Sequence, residues 1–272
     1  MKKALLIGID YISSPNLSLN GCINDVITVR NMLIDAYEYD PNNIIILRDD
    51  TADFINPTKE NILEQMNLLV SNSGNLEEIW FHYSGHGSQL RDQNSELKEI
   101  IIPSNYDEDG VIMDSEILDI IKNIKCRTIM IFDCCHSGSI CNMPWSFEYK
   151  DLSSSTYSRI QINTVKIENP NIYVFSGCRD NQTSADSFNI LDQSVGAFSN
   201  AFVECLRASH HNIDVMELYK NTCIYLLKNG YSQTPLFSSS NENPTFVIKK
   251  PNRVQVIRCD DVKRNMKFMY FR

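Results

Sequence analysis

Five short apolar runs, each rich in β-branched or aromatic residues and each closed by turn residues, restrict this chain to one class of architecture. They are Ala4–Asp10, Asn43–Leu47, Ile79–Tyr83, Thr128–Asp133 and Ile172–Ser176. Apolarity that is continuous rather than alternating is what a strand covered on both faces requires. Helical patterns separate the runs. Asn24–Tyr37 places Val26, Ile27, Val29, Met32 and Leu33 at helical spacing, and Thr58–Val70 follows Pro57 with Ile62, Leu63, Met66 and Leu69 on one side. Asp114–Ile124 opens on Asp-Ser-Glu, a helix-start signal, and Ala197–Ser209 and Val215–Lys228 supply two more helices. Strands alternating with helices predict right-handed crossovers and a doubly wound, mostly parallel α/β sheet. Ile100–Pro103 reads as a surface strand and Thr245–Lys249 as a last strand at the sheet edge, while Ser88–Lys98 and Trp145–Asn171 read as loops.

The 272 residues suffice for one large α/β domain, and 43% hydrophobic with 22% charged residues is ordinary for a globular protein. A net charge of −9 argues against general nucleic-acid binding and suits a partner or substrate that carries positive charge. Met1-Lys2-Lys3 followed by an apolar stretch superficially suggests a signal peptide. The stretch ends at Asp10 with no small-residue cleavage site, which favours a strand. No run is long enough to span a bilayer. Nine cysteines, an odd number without framework spacing, indicate free thiols in a reducing, intracellular (cytoplasmic) setting.

Two of the runs end in residues with chemistry. Phe81-His82-Tyr83-Ser84-Gly85-His86-Gly87 offers a histidine between glycines, and Phe132-Asp133-Cys134-Cys135-His136-Ser137-Gly138 offers a thiol on a turn. In open parallel sheets ligands sit at the carboxyl ends of strands. A thiol and an imidazole brought together there form a nucleophile and its base. Asp133 lies two positions before Cys135 and so points to the same side. Asp25 opens the first helix, and two carboxylates beside a nucleophile attract a cation. The plainer alternatives are that Asp25 is a helix-start charge and Asp133 a turn cap.

The series Gly21-Cys22-Ile23-Asn24-Asp25, His82 to Gln89, Asp133 to Gly138, Ser176 to Asp186 and Ser232-Gln233-Thr234-Pro235 resembles, in order, the motifs of the metacaspases. The animal caspase signature Gln-Ala-Cys-x-Gly is absent. The resemblance implies a caspase-like three-layer α/β/α sandwich whose mostly parallel sheet has about six strands. It implies a peptidase cutting after arginine or lysine through Cys135 as nucleophile and His86 as base and acid, with the N–H groups of Cys135 and Gly87 holding the oxyanion. Cys22, Asp25, Ser84 and Asp133 match that family's pocket for the basic residue. Cys134, one position off, points away and is expected to be buried.

Calcium is where the chain departs from the family. Many metacaspases are switched on by Ca²⁺ at clustered aspartates, and three of those positions here are Lys98, Ser115 and Asn142, leaving Asp114 alone. One carboxylate beside an ammonium does not make an oxygen cage, so no metal requirement is expected. Separately, Asn105, Asp107, Asp109, Gly110, Asp114 and Glu116 follow the spacing of an EF-hand loop, although the first position is Asn and a strand rather than a helix precedes it. The alternative there is an acidic turn entering a helix.

The expected organisation is one catalytic domain, without a prodomain. It has a large portion to about residue 145, a linker over 146–170, a small portion over 171–250 and a basic tail over 251–272. The tail is either a solvated extension or an interaction arm. Lys150, Arg159 and Lys166 in the linker are candidate self-cleavage points, and protein or peptide substrates with basic residues are the expected partners. A monomer is expected. A catalytically weak regulator or scaffold is the competing reading, which the intact His86/Cys135 pair disfavours. A nucleotide-binding protein is a third, and no P-loop or Gly-x-Gly-x-x-Gly follows the first strand.

Overall fold

A computed structural model describes residues 1–91, 95–135, 140–154, 156–177, 186–188 (backbone only) and 194–251. His136, Ser137 and Gly138, most of the Ser176–Asp186 motif and the tail from 252 lie outside these.

Eight strands form the main sheet: β1 (Lys2–Gly8), β2 (Ile44–Arg48), β3 (Glu78–Ser84), β4 (Arg127–Asp133), β5 (Trp145–Glu148), β6 (Ser158–Gln161), β7 (Ile172–Ser176) and β8 (Leu236–Ser239). Their spatial order is β2-β1-β3-β4-β7-β8-β5-β6. The first five in that order are the five apolar runs, all mutually parallel. β8, β5 and β6 are added antiparallel. The sheet is therefore larger than the six strands expected. The extra strands come from the segment Trp145–Asn171, read as a loop, which forms the β5–β6 hairpin at the edge. Its short, half-exposed strands bury little more than Phe147, so they carry no long apolar run.

The helices are α1 (Cys22–Asp35), α2 (Lys59–Ser71), α3 (Asp114–Ile121), α4 (Ala197–Ala208) and α5 (Val215–Lys228). Alternation along each strand sorts them into two layers. Ala4, Leu6, Trp80, Ile129, Ile131, Tyr173 and Phe175 face α1, α4 and α5. Leu5, Ile7, Ile79, Phe81, Met130, Phe132 and Val174 face α2 and α3. The result is the expected three-layer α/β/α sandwich.

Two further expectations are corrected. Ser88–Lys98 is not a plain loop, because Gly87–Arg91 and Leu97–Ile101 pair antiparallel, and Ile112–Met113 extends that ribbon. Thr245–Lys249 does not extend the main sheet; Val247–Lys249 pairs instead with Asn212–Asp214. Three residues with one buried side chain, Ile248, have too little apolar face to join a sheet covered on both sides. Among the described residues no helix is long and apolar enough to cross a membrane.

Aromatic packing ties the antiparallel strands to the helical layer. The Phe237 ring lies 4.8 Å from Phe175, 5.5 Å from Phe147 and 5.9 Å from Tyr219, centroid to centroid. Phe237→Ala is expected to cost about 3–5 kcal/mol, measured by denaturant unfolding.

Candidate active site

The site is built by the register of one strand pair. β3 and β4 run parallel with Ser84 opposite Asp133, and the Gly85 N–H donates to the Asp133 carbonyl at 3.3 Å. His86 and Cys135 each stand two residues beyond that pair, at neighbouring strand tips. The turns are pressed together: a Cβ on Gly87 would lie 2.2 Å from the Cys135 carbonyl oxygen and 3.0 Å from the Cys134 sulfur. Only a residue without a side chain lets the histidine turn pass so close to the cysteine turn. Cys135 is half-buried, whereas Cys134 is buried among the residues facing α2 and α3, as expected.

Two tyrosines clamp the His86 peptide. Its N–H donates to the Tyr11 hydroxyl at 2.9 Å, and the Tyr83 hydroxyl donates to its carbonyl at 2.8 Å. Tyr11 donates in turn to the Ile102 carbonyl at 2.6 Å. The Tyr11 ring sits 4.8 Å from the imidazole, on a backbone with φ +53°. The His86 Nε2 lies 2.7 Å from the Leu17 carbonyl. A carbonyl only accepts, so Nε2 carries the proton, and Nδ1 of the neutral ring is left as a base.

The four pocket residues read from sequence are brought together. The Ser84 hydroxyl donates to Asp25 at 2.6 Å. Asp25 accepts the Gly196 N–H at 3.0 Å, and Asp133 accepts the Ser199 N–H at 2.8 Å. Asp25 is 2% exposed and Asp133 4%. A Cβ on Gly196 would meet Asp133 at 2.2 Å and Asp25 at 2.7 Å, so both carboxylates converge on that glycine. Burial, then the neighbouring Asp133, hold the Asp25 carboxyl well above the usual carboxylate range. Burial and Asp25 push the Cys22 thiol up as well. Asp25 lies in the first turn of α1. Asp133 does cap a helix, but the helix is α4, from the far side of the chain. Gly196 and Ser199 were missed because a glycine and a serine at a helix start are common wherever helices begin.

Of the positions where the family clusters its calcium aspartates, only Asp114 is an aspartate here. The Lys98 ammonium lies 2.8 Å from Glu96, Ser115 is exposed, and the Asn142 carbonyl accepts from Asn163 at 2.9 Å. Asp114 is buried; one oxygen accepts the Glu99 N–H at 3.3 Å and the other has no hydrogen-bond partner. In the 105–116 segment, Asn105 accepts from the Lys59 N–H, and Glu116 accepts the Met113 N–H at the start of α3. This is the acidic turn entering a helix. Among the described residues, no group of three or more His, Cys, Asp or Glu side chains is placed to hold a metal ion.

The family model "Metacaspase, peptidase C14 domain" matches residues 2–144. Metacaspase-1 of Candida glabrata is 30% identical, with 88% of this chain and 73% of that protein aligned. Metacaspase-1A of Neurospora crassa is 32% identical over 88% of this chain and 63% of its own length. Metacaspase-1 of Pyricularia oryzae is 31% identical over 91% and 74%. The chain thus spans from just under two thirds to about three quarters of these relatives. A crystal structure of a Geobacter sulfurreducens protein shares the fold, with a TM-score of 0.63 over 92% of this chain and 97% of that one at 18% identity.

The loop that carries Leu17 hangs on Asp10. The Asp10 carbonyl accepts the Leu19 N–H at 2.9 Å, and its carboxylate accepts the Cys22 N–H at 3.0 Å. Burial raises its pKa from 3.8 to about 6, the Cys22 hydrogen bond opposing and Asp49 adding to the rise. Between those values the folded state holds a proton that the unfolded chain has released, so stability falls as pH rises through the window. Asp10→Asn removes this loss. Its stability relative to the parent is expected to improve by about 1–2 kcal/mol from pH 4 to pH 7, discounted for partial exposure and measured by denaturant titration.

Proposed function

The chain belongs to the metacaspase family of C14 cysteine peptidases, and from that premise we propose that it is an endopeptidase cutting after arginine or lysine, with Cys135 as nucleophile and His86 as its base. The observation that carries this reading is the seating of the Gly87 turn against the backbone of Cys135, beside two converging buried carboxylates.

The chemistry follows in two halves. Imidazole Nδ1 takes the Cys135 proton, and the thiolate attacks the scissile carbonyl, forming a C–S bond. The N–H groups of Gly87 and Cys135 receive the oxyanion. The C–N bond then breaks, and the leaving amine takes its proton from the imidazolium. Water, deprotonated by the same ring, hydrolyses the thioester and restores the thiol. The Leu17 carbonyl holds the ring in the required tautomer throughout. In the pocket formed by Cys22, Asp25, Ser84 and Asp133, a guanidinium or ammonium supplies the countercharge that two adjacent buried carboxylates need.

Self-processing belongs to the same reading, at Lys150 or Lys166 rather than Arg159. Both lysines are exposed outside regular structure. Arg159 sits in β6, bonded to the Glu242 carbonyl and the Asn243 side chain. A strand residue must unpair before it enters a protease cleft. Activity without calcium follows from the donor set at Asp114. The seven described cysteines are free, which suits a reducing compartment.

Fluorogenic peptides test the reading. Arg- and Lys-ended peptides are expected to be cut at least about a hundredfold faster than an Asp-ended one, because a carboxylate finds like charge in the pocket. Calcium should change the rate by less than about twofold, and Cys135→Ala should reduce it by about a thousandfold or more. Equal rates on Arg- and Asp-ended peptides would remove the assigned specificity. Turnover unaffected by the Cys135 substitution would remove the mechanism.

A further inference from the structure

The histidine five residues before Gly87, in the same motif as His86, has no part in the chemistry above, yet it is placed directly behind the pocket. His82 is fully buried in β3, and its Nε2 lies 3.0 Å from the Ser199 hydroxyl. Its Nδ1 is buried with no hydrogen-bond partner. A buried polar atom left unpaired costs free energy, so an apolar residue would be the cheaper occupant of this position. Ser199 is the third residue of α4, and its backbone N–H is the one that Asp133 accepts.

The start of α4 has no cap of its own. Gly196 holds the capping position and has no side chain to satisfy the first N–H groups. A side chain there is forbidden, because its Cβ would collide with both pocket carboxylates. The pocket aspartates stand in for it: Asp25 takes the Gly196 N–H and Asp133 the Ser199 N–H. The helix terminus in turn supplies positive potential to two carboxylates that repel each other. The arrangement works only if α4 is held at the right depth. Three contacts do so from the large portion: Asn24 Nδ2 to the Ser194 carbonyl at 2.8 Å, Asp25 to Gly196, and His82 to the Ser199 hydroxyl.

We infer that His82 is a positioning residue for the basic-residue pocket, acting through Ser199 to seat the start of α4 on Asp133 and so setting affinity for a cationic side chain. Burial pushes the His82 pKa down to about 3, so the ring stays neutral and puts no competing cation behind the carboxylates. This inference rests on the proposed specificity for arginine or lysine.

The test is steady-state kinetics on Arg- and Asp-ended peptides with the parent, Ser199→Ala and His82→Gln, with thermal midpoints alongside. Ser199→Ala keeps the backbone N–H and suits a helix, so it should fold. Its KM for the Arg-ended peptide is expected to rise about five- to tenfold with kcat unchanged, the worth of about one hydrogen bond. His82→Gln, which keeps a polar group near the Nε2 position, should stay within about twofold of the parent KM. An unchanged KM in Ser199→Ala overturns the inference while leaving the specificity intact. So does a parallel fall of kcat and thermal midpoint, which marks general loosening. A parent enzyme that does not prefer the Arg-ended peptide overturns the specificity reading itself, and this inference with it.

Discussion

The structure depends above all on the parallel pairing of β3 with β4 in one register. Ser84 opposite Asp133 does two jobs at once. Two residues onward it delivers His86 and Cys135 to adjacent tips. At the pair itself it leaves a hydroxyl and a carboxylate on the face toward α1 and α4. Because side chains alternate along a strand, a one-residue slip would exchange Cys135 for Cys134 and turn Asp133 away from the pocket. The apolar contacts that forbid the slip are ordinary core contacts: Phe81 and Phe132 on one face, Trp80 and Ile131 on the other. Core packing and site geometry are therefore set by the same constraint.

The proposed specificity site draws on both halves of the chain. Asp25 and Asp133 provide the carboxylates, and the start of α4 provides the N–H groups that they accept. Each half leaves the other with something unsatisfied. Without α4, Asp25 and Asp133 are a repelling buried pair; without the aspartates, α4 has uncapped N–H groups. Such mutual need explains why a glycine must stand at position 196 and why the pocket is buried.

Much of this was legible in the sequence, for identifiable reasons. The five buried strands announced themselves because a strand covered on both faces must be apolar throughout. His86, Cys135, Asp25 and Asp133 were legible because their chemistry and spacing are uncommon together. The β5–β6 hairpin was not, since its half-exposed strands bury little beyond Phe147 and leave no apolar run. Leu17 was not, since it acts through its backbone and a backbone group leaves no mark in a sequence, and Ser199 was not, since a serine in the first turn of a helix is common. Tyr11 was hidden for a different reason. Its work is to hold a peptide group across the chain, and only the fold brings the two together.

The central proposal is that an imidazole at one strand tip serves as base to a thiol at the next. Iodoacetamide alkylation of Cys135, followed by mass mapping across pH, measures it directly, because six of the seven described cysteines are buried. The account predicts that Cys135 is alkylated at neutral pH at least about tenfold faster in the parent than in His86→Ala. Equal rates in the two would contradict it.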